Sequence, residues 1–184
     1  MKHRHVILDR DGVLNSEAAG AGYVREPSEF HWLPGALEGL AMLRHAGLYL
    51  SVATNQSGVG RGLMSLAQLQ AVHEHMRTQA AGQGATLDAV FVCPHAPQEQ
   101  CGCRKPAPGL IQAAIAHAGI AASECLVIGD DQRDLEAARR AGVTAVLVRT
   151  GKGRRTEEEV RGWGVLAYDD LPQLARAILG DHSL

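Results

Sequence analysis

The chain has 184 residues, 46% of them hydrophobic and only 4% aromatic, enough to bury one core of aliphatic side chains. Its 18 Lys and Arg nearly balance 20 Asp and Glu, and a net charge of −2 argues against a bulk nucleic-acid or acidic-membrane binder. No apolar run approaches the roughly 18 residues of a membrane span, no signal-peptide pattern precedes the first strand, and four cysteines make no disulfide framework. A soluble, cytoplasmic, monomeric protein with one domain over residues 1–184 is expected.

Val6-Ile7-Leu8 reads as a buried strand that ends at Asp9-Arg10-Asp11-Gly12. Residues two apart in an extended chain project to one side, so Asp9 and Asp11 can face one pocket. Two carboxylates so close stay ionised only if a cation lies between them or one keeps a proton. Residues 13–33, with Gly20, Gly22 and Pro27, read as a loop able to fold back as a hairpin. Pro34-Gly35 opens a helix through Leu37, Leu40, Ala41 and Leu43, stopped by Gly47. Leu48 to Ala53 is a second strand, ending at Thr54-Asn55-Gln56-Ser57-Gly58, with a glycine-rich turn through Gly62. Ser65 caps a helix carrying Leu66, Leu69, Val72 and Met76 at helical spacing.

Leu87 to Val92 is a third strand, followed by a loop over 93–107 dense in Cys, His and Pro. A helix runs from Pro108 to about Ala118 and ends at Gly119. Leu126-Val127-Ile128 is a fourth strand leading into Gly129-Asp130-Asp131, then a helix from Arg133 to Ala141 and a fifth strand from Thr144 to Val148. A basic loop over 149–155, a short helix, a strand near Val165 to Tyr168 and a helix from Leu171 to Leu179 complete the chain. Strands alternating with helices predict a Rossmann-like three-layer α/β/α sandwich around a mainly parallel sheet.

Ligands of open α/β sheets bind outside the carboxyl ends of the strands. Those ends carry Asp9 and Asp11, then Thr54 and Asn55, then Arg104-Lys105, then Asp130 and Asp131. Each has a plain structural explanation alone: an acidic turn, strand-end turn chemistry, a solvated cation, a helix start. Together they suit a hard oxygen-seeking ion, Mg²⁺ first, and a phosphoryl group held by a Lys and neutral donors. A carboxylate can attack phosphorus to give an aspartyl-phosphate while another serves as acid and base.

Cys93-Pro94-His95 and Cys101-Gly102-Cys103 supply three thiols and one imidazole, a closed tetrahedral set for structural Zn²⁺. Zinc there would fix an irregular loop and aim Arg104 and Lys105 into the site. Arg104 suits bidentate recognition of a second phosphate or carboxylate. Cys125 lies beside a strand and reads as core.

From Val6 to about Gly153, these motifs in this order resemble the haloacid dehalogenase superfamily of phosphatases. The resemblance implies Asp9 as nucleophile and Mg²⁺ ligand, and Asp11 as acid/base and a Mg²⁺ ligand through its backbone carbonyl. It implies Thr54 and Lys105 as holders of the transferring phosphoryl group, Asp130 as the remaining metal ligand, and either Asp131 or Asp134 behind it. Neither 13–33 nor 56–92 has length for an inserted cap domain, so a capless member is expected. Leu8 to Asn15, Thr54 to Gly58, and Cys93-Pro94-His95 with Cys101-Gly102-Cys103-Arg104-Lys105-Pro106 look like the D-glycero-D-manno-heptose 1,7-bisphosphate 7-phosphatase family. Gly22-Tyr23-Val24 and Arg149-Thr150-Gly151-Lys152 fit the same pattern, while Asp131 stands where many of its members carry Lys. By that resemblance the substrate is a small sugar phosphate, with Arg10, Tyr23, Asn55, Gln56, Ser57, Arg104 and Asp131 as its contacts. Histidinol-phosphate phosphatase, which shares the zinc loop, and a non-enzymatic phospho-acceptor receiver are the alternatives.

Overall fold

In β1 (His5–Leu8), Val6 and Leu8 pack into one apolar cluster and Ile7 into another, and all three are fully buried. Such a strand needs cover on both faces. The computed structural model, which describes residues 3–17 and 22–180, supplies it. After β1 come α1 (Ala36–His45), β2 (Tyr49–Asn55), α2 (Leu66–Gly82), β3 (Ala89–Cys93) and α3 (Gly109–Ala118). The remainder is β4 (Cys125–Gly129), α4 (Gln132–Arg140), β5 (Thr144–Val148), α5 (Gly153–Glu159), β6 (Leu166–Tyr168) and α6 (Leu171–Gly180).

The strands form one six-stranded sheet in the order β3-β2-β1-β4-β5-β6, every neighbouring pair parallel. Leu40 and Leu43 of α1, Val72 and Met76 of α2, and Leu174 and Ile178 of α6 cover Val6, Leu8, Leu50 and Val52. On the other face, Leu110 and Ile111 of α3 and Ala137 and Ala138 of α4 cover Ile7, Ala53 and Val127. The three expected layers are therefore present. Ser65 caps α2 as expected: its hydroxyl accepts the Gln68 N–H while the Gln68 side chain accepts the Ser65 N–H.

Three boundaries differ from expectation. β2 runs through Thr54 and Asn55, and β3 begins only at Ala89. The Asp88 carboxylate, paired with Arg44, takes the Leu50 N–H where the ladder would otherwise have started. α5 begins at Gly153, so Arg154 and Arg155 lie on a helix rather than in a basic loop. The 13–33 segment does fold back: Asn15 bridges antiparallel to Trp32, and the Leu33 N–H donates to the Leu14 carbonyl. Gly20, part of that expected loop, lies outside the described residues. Among the described residues neither insertion point carries a cap domain, and no helix is long and apolar enough to cross a membrane.

Candidate active site

The order of strands reverses between β1 and β4, and chain crossovers leave that point on opposite faces, which opens a crevice at the strand ends. Asp9 follows β1, Asp130 follows β4, and Asp134 lies in the first turn of α4. Their crowding depends on two glycines. A Cβ at Gly12, whose φ is +85°, would collide with the Asp130 carboxylate, and one at Gly129 would collide with Asp134. Asp9, Asp130 and Asp134 thus each bring one carboxylate oxygen within 4.8 Å of the others.

Lys105 sits among them. Its Nζ lies 2.9 Å from Asp9 Oδ1 and 2.6 Å from Asp134 Oδ1, and donates to the Ala53 carbonyl at 2.7 Å. Asn55 fixes the Lys105 backbone from both sides, donating to its carbonyl at 3.0 Å and accepting its N–H at 3.1 Å. Burial and the Asp134 charge raise the Asp9 carboxyl to about 7, in spite of Lys105. Burial with Asp9 and Asp134 raises Asp130 to about 8. Burial alone would lower Lys105, but the Asp134 and Asp9 charges raise it above its ordinary value. Three carboxylates against one ammonium leave the floor short of positive charge. Its donors are hard oxygens, a set that fits Mg²⁺.

Asp11 is built differently from Asp9. Burial pushes its carboxyl up, yet Arg10, Asn15 and Gln56 outweigh that and hold it below the usual range. Arg10 Nη2 reaches both Asp11 oxygens at 2.8 and 3.0 Å, Asn15 Nδ2 donates at 2.9 Å and Gln56 Nε2 at 2.8 Å. Gln56 Nε2 also donates to Thr54 Oγ1 at 2.9 Å, which leaves the Thr54 hydrogen free to point elsewhere. Behind Arg10 stands His73, 3.1 Å from Nη1.

The cavity above this floor measures about 240 Å³, room for one sugar-sized molecule. Asp9, Asp11, Tyr23, Thr54, Asn55, Ser57, Arg104, Lys105, Asp130 and Asp131 line it, so most of the expected residues converge. Tyr23 and Ser57 hydrogen-bond each other at 2.9 Å on its wall. Two expectations need correction. Arg10 is fully buried and Gln56 1% exposed, both turned to Asp11, so neither side chain lines the cavity. Between the two candidates left open, it is Asp134 that joins the cluster, while Asp131 caps α4 and pairs with Arg133. The Asp11 carboxylate, taken up by its donors, is not among the gathered oxygens, leaving its backbone carbonyl as what it could offer a metal. Of the basic stretch only Lys152 reaches the cavity; Arg149 is paired with Glu157 and Asp169. Glu17 and Arg133 also line it, and nothing in the sequence marks either as more than an ordinary surface charge.

The sulfur cluster stands beside this cavity. The sulfurs of Cys93, Cys101 and Cys103 are 3.3–3.5 Å apart, and His95 Nδ1 is 3.2 Å from Cys103 Sγ and 3.6 Å from Cys93 Sγ. Ligands about 2.3 Å from a tetrahedral zinc would be roughly 3.8 Å apart, so the four atoms fit such a site with small adjustments. Cys125, by contrast, is buried in the core as expected.

The HAD-hydrolase-like family model matches residues 102–174. A D-glycero-beta-D-manno-heptose-1,7-bisphosphate 7-phosphatase of Pseudomonas putida is 42% identical over 174 residues, covering 95% of this chain and 98% of its own. A D-glycero-alpha-D-manno-heptose-1,7-bisphosphate 7-phosphatase of Mycobacterium tuberculosis is 43% identical over 141 residues, 76% of this chain and 74% of its own. The crystal structure of D,D-heptose 1,7-bisphosphate phosphatase from Bordetella bronchiseptica, complexed with magnesium and phosphate, superposes with a TM-score of 0.91. It is 39% identical and covers 96% of this chain and 98% of its own.

Proposed function

This chain belongs to the haloacid dehalogenase-like heptose-bisphosphate phosphatases, and from that membership we propose that it hydrolyses the 7-phosphate of D-glycero-D-manno-heptose 1,7-bisphosphate. The observation that carries this reading is the placement of Lys105 between Asp9 and Asp134 on the floor of a sugar-sized cavity with an Arg-bearing rim.

In this reading Asp9 attacks phosphorus, the P–O bond to Asp9 forms and the bond to the sugar oxygen breaks. Asp11 gives its proton to the departing oxygen. It then takes a proton from the water that attacks the aspartyl-phosphate, and inorganic phosphate leaves. The donors around Asp11 favour its ionised form, the one the second step needs. A phosphate dianion arriving beside it favours the protonated form that the first step needs. Lys105 and the free hydrogen of Thr54 hold the phosphoryl oxygens. Asp9, Asp130 and the Asp11 carbonyl would hold Mg²⁺, with Asp134 behind them. Bound there, Mg²⁺ offsets the negative charge of carboxylates and phosphoryl oxygens.

The sulfur cluster would hold structural Zn²⁺ and so fix Arg104, which takes the distal phosphate. Thiol ligands of this kind persist in a reducing, cytoplasmic compartment.

Phosphate release should be compared across both anomers of the heptose bisphosphate, fructose 1,6-bisphosphate and histidinol phosphate. A heptose bisphosphate is expected to give the highest kcat/KM. Faster turnover of histidinol phosphate, whose positive groups Arg104, Arg133 and Lys152 would repel, would overturn the assignment.

A further inference from the structure

Arg133 stands in the first turn of α4, on the wall shared by the reaction cavity and an adjoining hollow of about 440 Å³. Arg104 lines both spaces too, so two guanidiniums stand on the wall between them. Arg133 is not a loose surface charge. Its Nε and Nη2 donate to the two oxygens of Asp131 at 2.9 and 2.7 Å, and Asp131 Oδ1 also accepts the Arg133 N–H at 3.0 Å. That fork-on-fork contact fixes the guanidinium plane, and Nη1 is left with no partner among the described residues.

Helix capping does not explain the arrangement, because Asn or Ser at 131 would cap α4 without holding an Arg. Stability does not explain it either, since a half-exposed ion pair contributes little. The other rim cation is already engaged: Lys152 Nζ lies 2.5 Å from Glu17 and 3.8 Å from Asp131. What remains is an oriented guanidinium facing a space where an anionic group is expected. A phosphate has three outer oxygens, enough for two forks at once.

We propose that Arg133, aimed by Asp131, closes with Arg104 on the anionic group at the far end of the substrate. Arg133 is then a specificity-determining residue and Asp131 a positioning residue. The inference rests on the bisphosphate reading above and says which side chains read the second phosphate.

The test is the ratio of kcat/KM for heptose 1,7-bisphosphate to that for heptose 7-phosphate, which differ only in the distal group. Arg133→Ala should lower this ratio about twentyfold, and Arg133→Lys, which keeps the charge without the fork, should recover part of it. Arg104→Ala combined with Arg133→Ala should remove the preference. Asp131→Asn separates orientation from charge, because Asn still caps the helix while one repelling charge is lost. Orientation predicts a lower ratio for Asp131→Asn; a raised ratio would overturn the positioning role. A wild-type preference that survives Arg133→Ala overturns the clamp alone. No preference in the wild-type protein overturns the bisphosphate reading and the clamp with it.

Discussion

The oxygen cluster of Asp9, Asp130 and Asp134 and the sulfur cluster of Cys93, His95, Cys101 and Cys103 are joined through Arg104-Lys105, yet they are built in opposite ways. The sulfurs come from the end of β3 and the loop after it, within residues 93–103, and close on themselves, so an ion held there has no open position. The carboxylates come from the ends of β1 and β4 and the start of α4, face a cavity, and are short of positive charge even with Lys105 among them. A local, closed set can fix a loop. An open set with unbalanced charge, held in place by the sheet, is one that waits for a cation and a phosphoryl group.

The sharpest way to break this contrast is Asp9→Asn. It removes the attacking oxygen's charge while keeping its shape, so turnover should fall by more than about a thousandfold with the fold intact. A variant within tenfold of the parent enzyme would mean that the oxygen cluster is not where the bond breaks. The corresponding change on the sulfur side, Cys101→Ser, should act on stability instead. Loss of one ligand is expected to lower stability by about 3 kcal/mol, or Tm by roughly 10 °C, with the zinc content falling in parallel. Unchanged Tm with normal zinc content would remove the loop-fixing role.

The next effect links the two clusters. Arg104 directly follows Cys103, and its Nη1 lies 3.4 Å from the His95 carbonyl, so the sulfur loop sets its direction. Arg104→Ala should cost about thirtyfold more in kcat/KM on a bisphosphate than on p-nitrophenyl phosphate, about 2 kcal/mol. Equal losses on the two substrates would assign Arg104 to the loop or to the reaction itself.

Both clusters were legible in the sequence for different reasons. The ligands in 93–103 are so close in the chain that spacing alone names them. Asp9 and Asp130 are named by their place directly after apolar strands, where ligands of such sheets gather. What stayed hidden depends on partners distant in sequence. Arg10 reads as a substrate contact until His73, from α2, and the Asp11 carboxylate provide the partners that permit full burial. Gln56 reads as a substrate contact in the same way and is instead held between Asp11 and Thr54. Asp131 and Asp134 are separable only once α4 exists, because the cap turns one towards Arg133 and the other towards Lys105.

The smallest expected effect concerns the charge imbalance itself. Asp9 at about 7 and Asp130 at about 8 lie above the 3.8 of an ordinary aspartate, so the folded protein keeps protons that the unfolded chain has released. Their contribution is fully present below about pH 4 and is lost as pH rises through the folded values. His5 and His73 work the other way. Burial depresses them to about 4 and about 3 from 6.5, so their contribution grows with pH and is complete near 6.5. Lys105, raised from 10.5, changes charge only above this range. From about pH 6.5 to about 8.5, therefore, the carboxylates lower stability as pH rises, while the zinc thiolates, which the unfolded chain protonates, work in the opposite sense and are untouched by Mg²⁺. Relative to the same zinc-loaded protein in saturating Mg²⁺, the Tm in Mg²⁺-free buffer should fall by a few degrees across that window. Asp9→Asn should shrink that difference without removing it, because burial still raises Asp130. A slope that persists in saturating Mg²⁺ would place its origin outside the oxygen cluster, and a difference between the two profiles that stays constant with pH would show that the three carboxylates carry no imbalance for a cation to relieve.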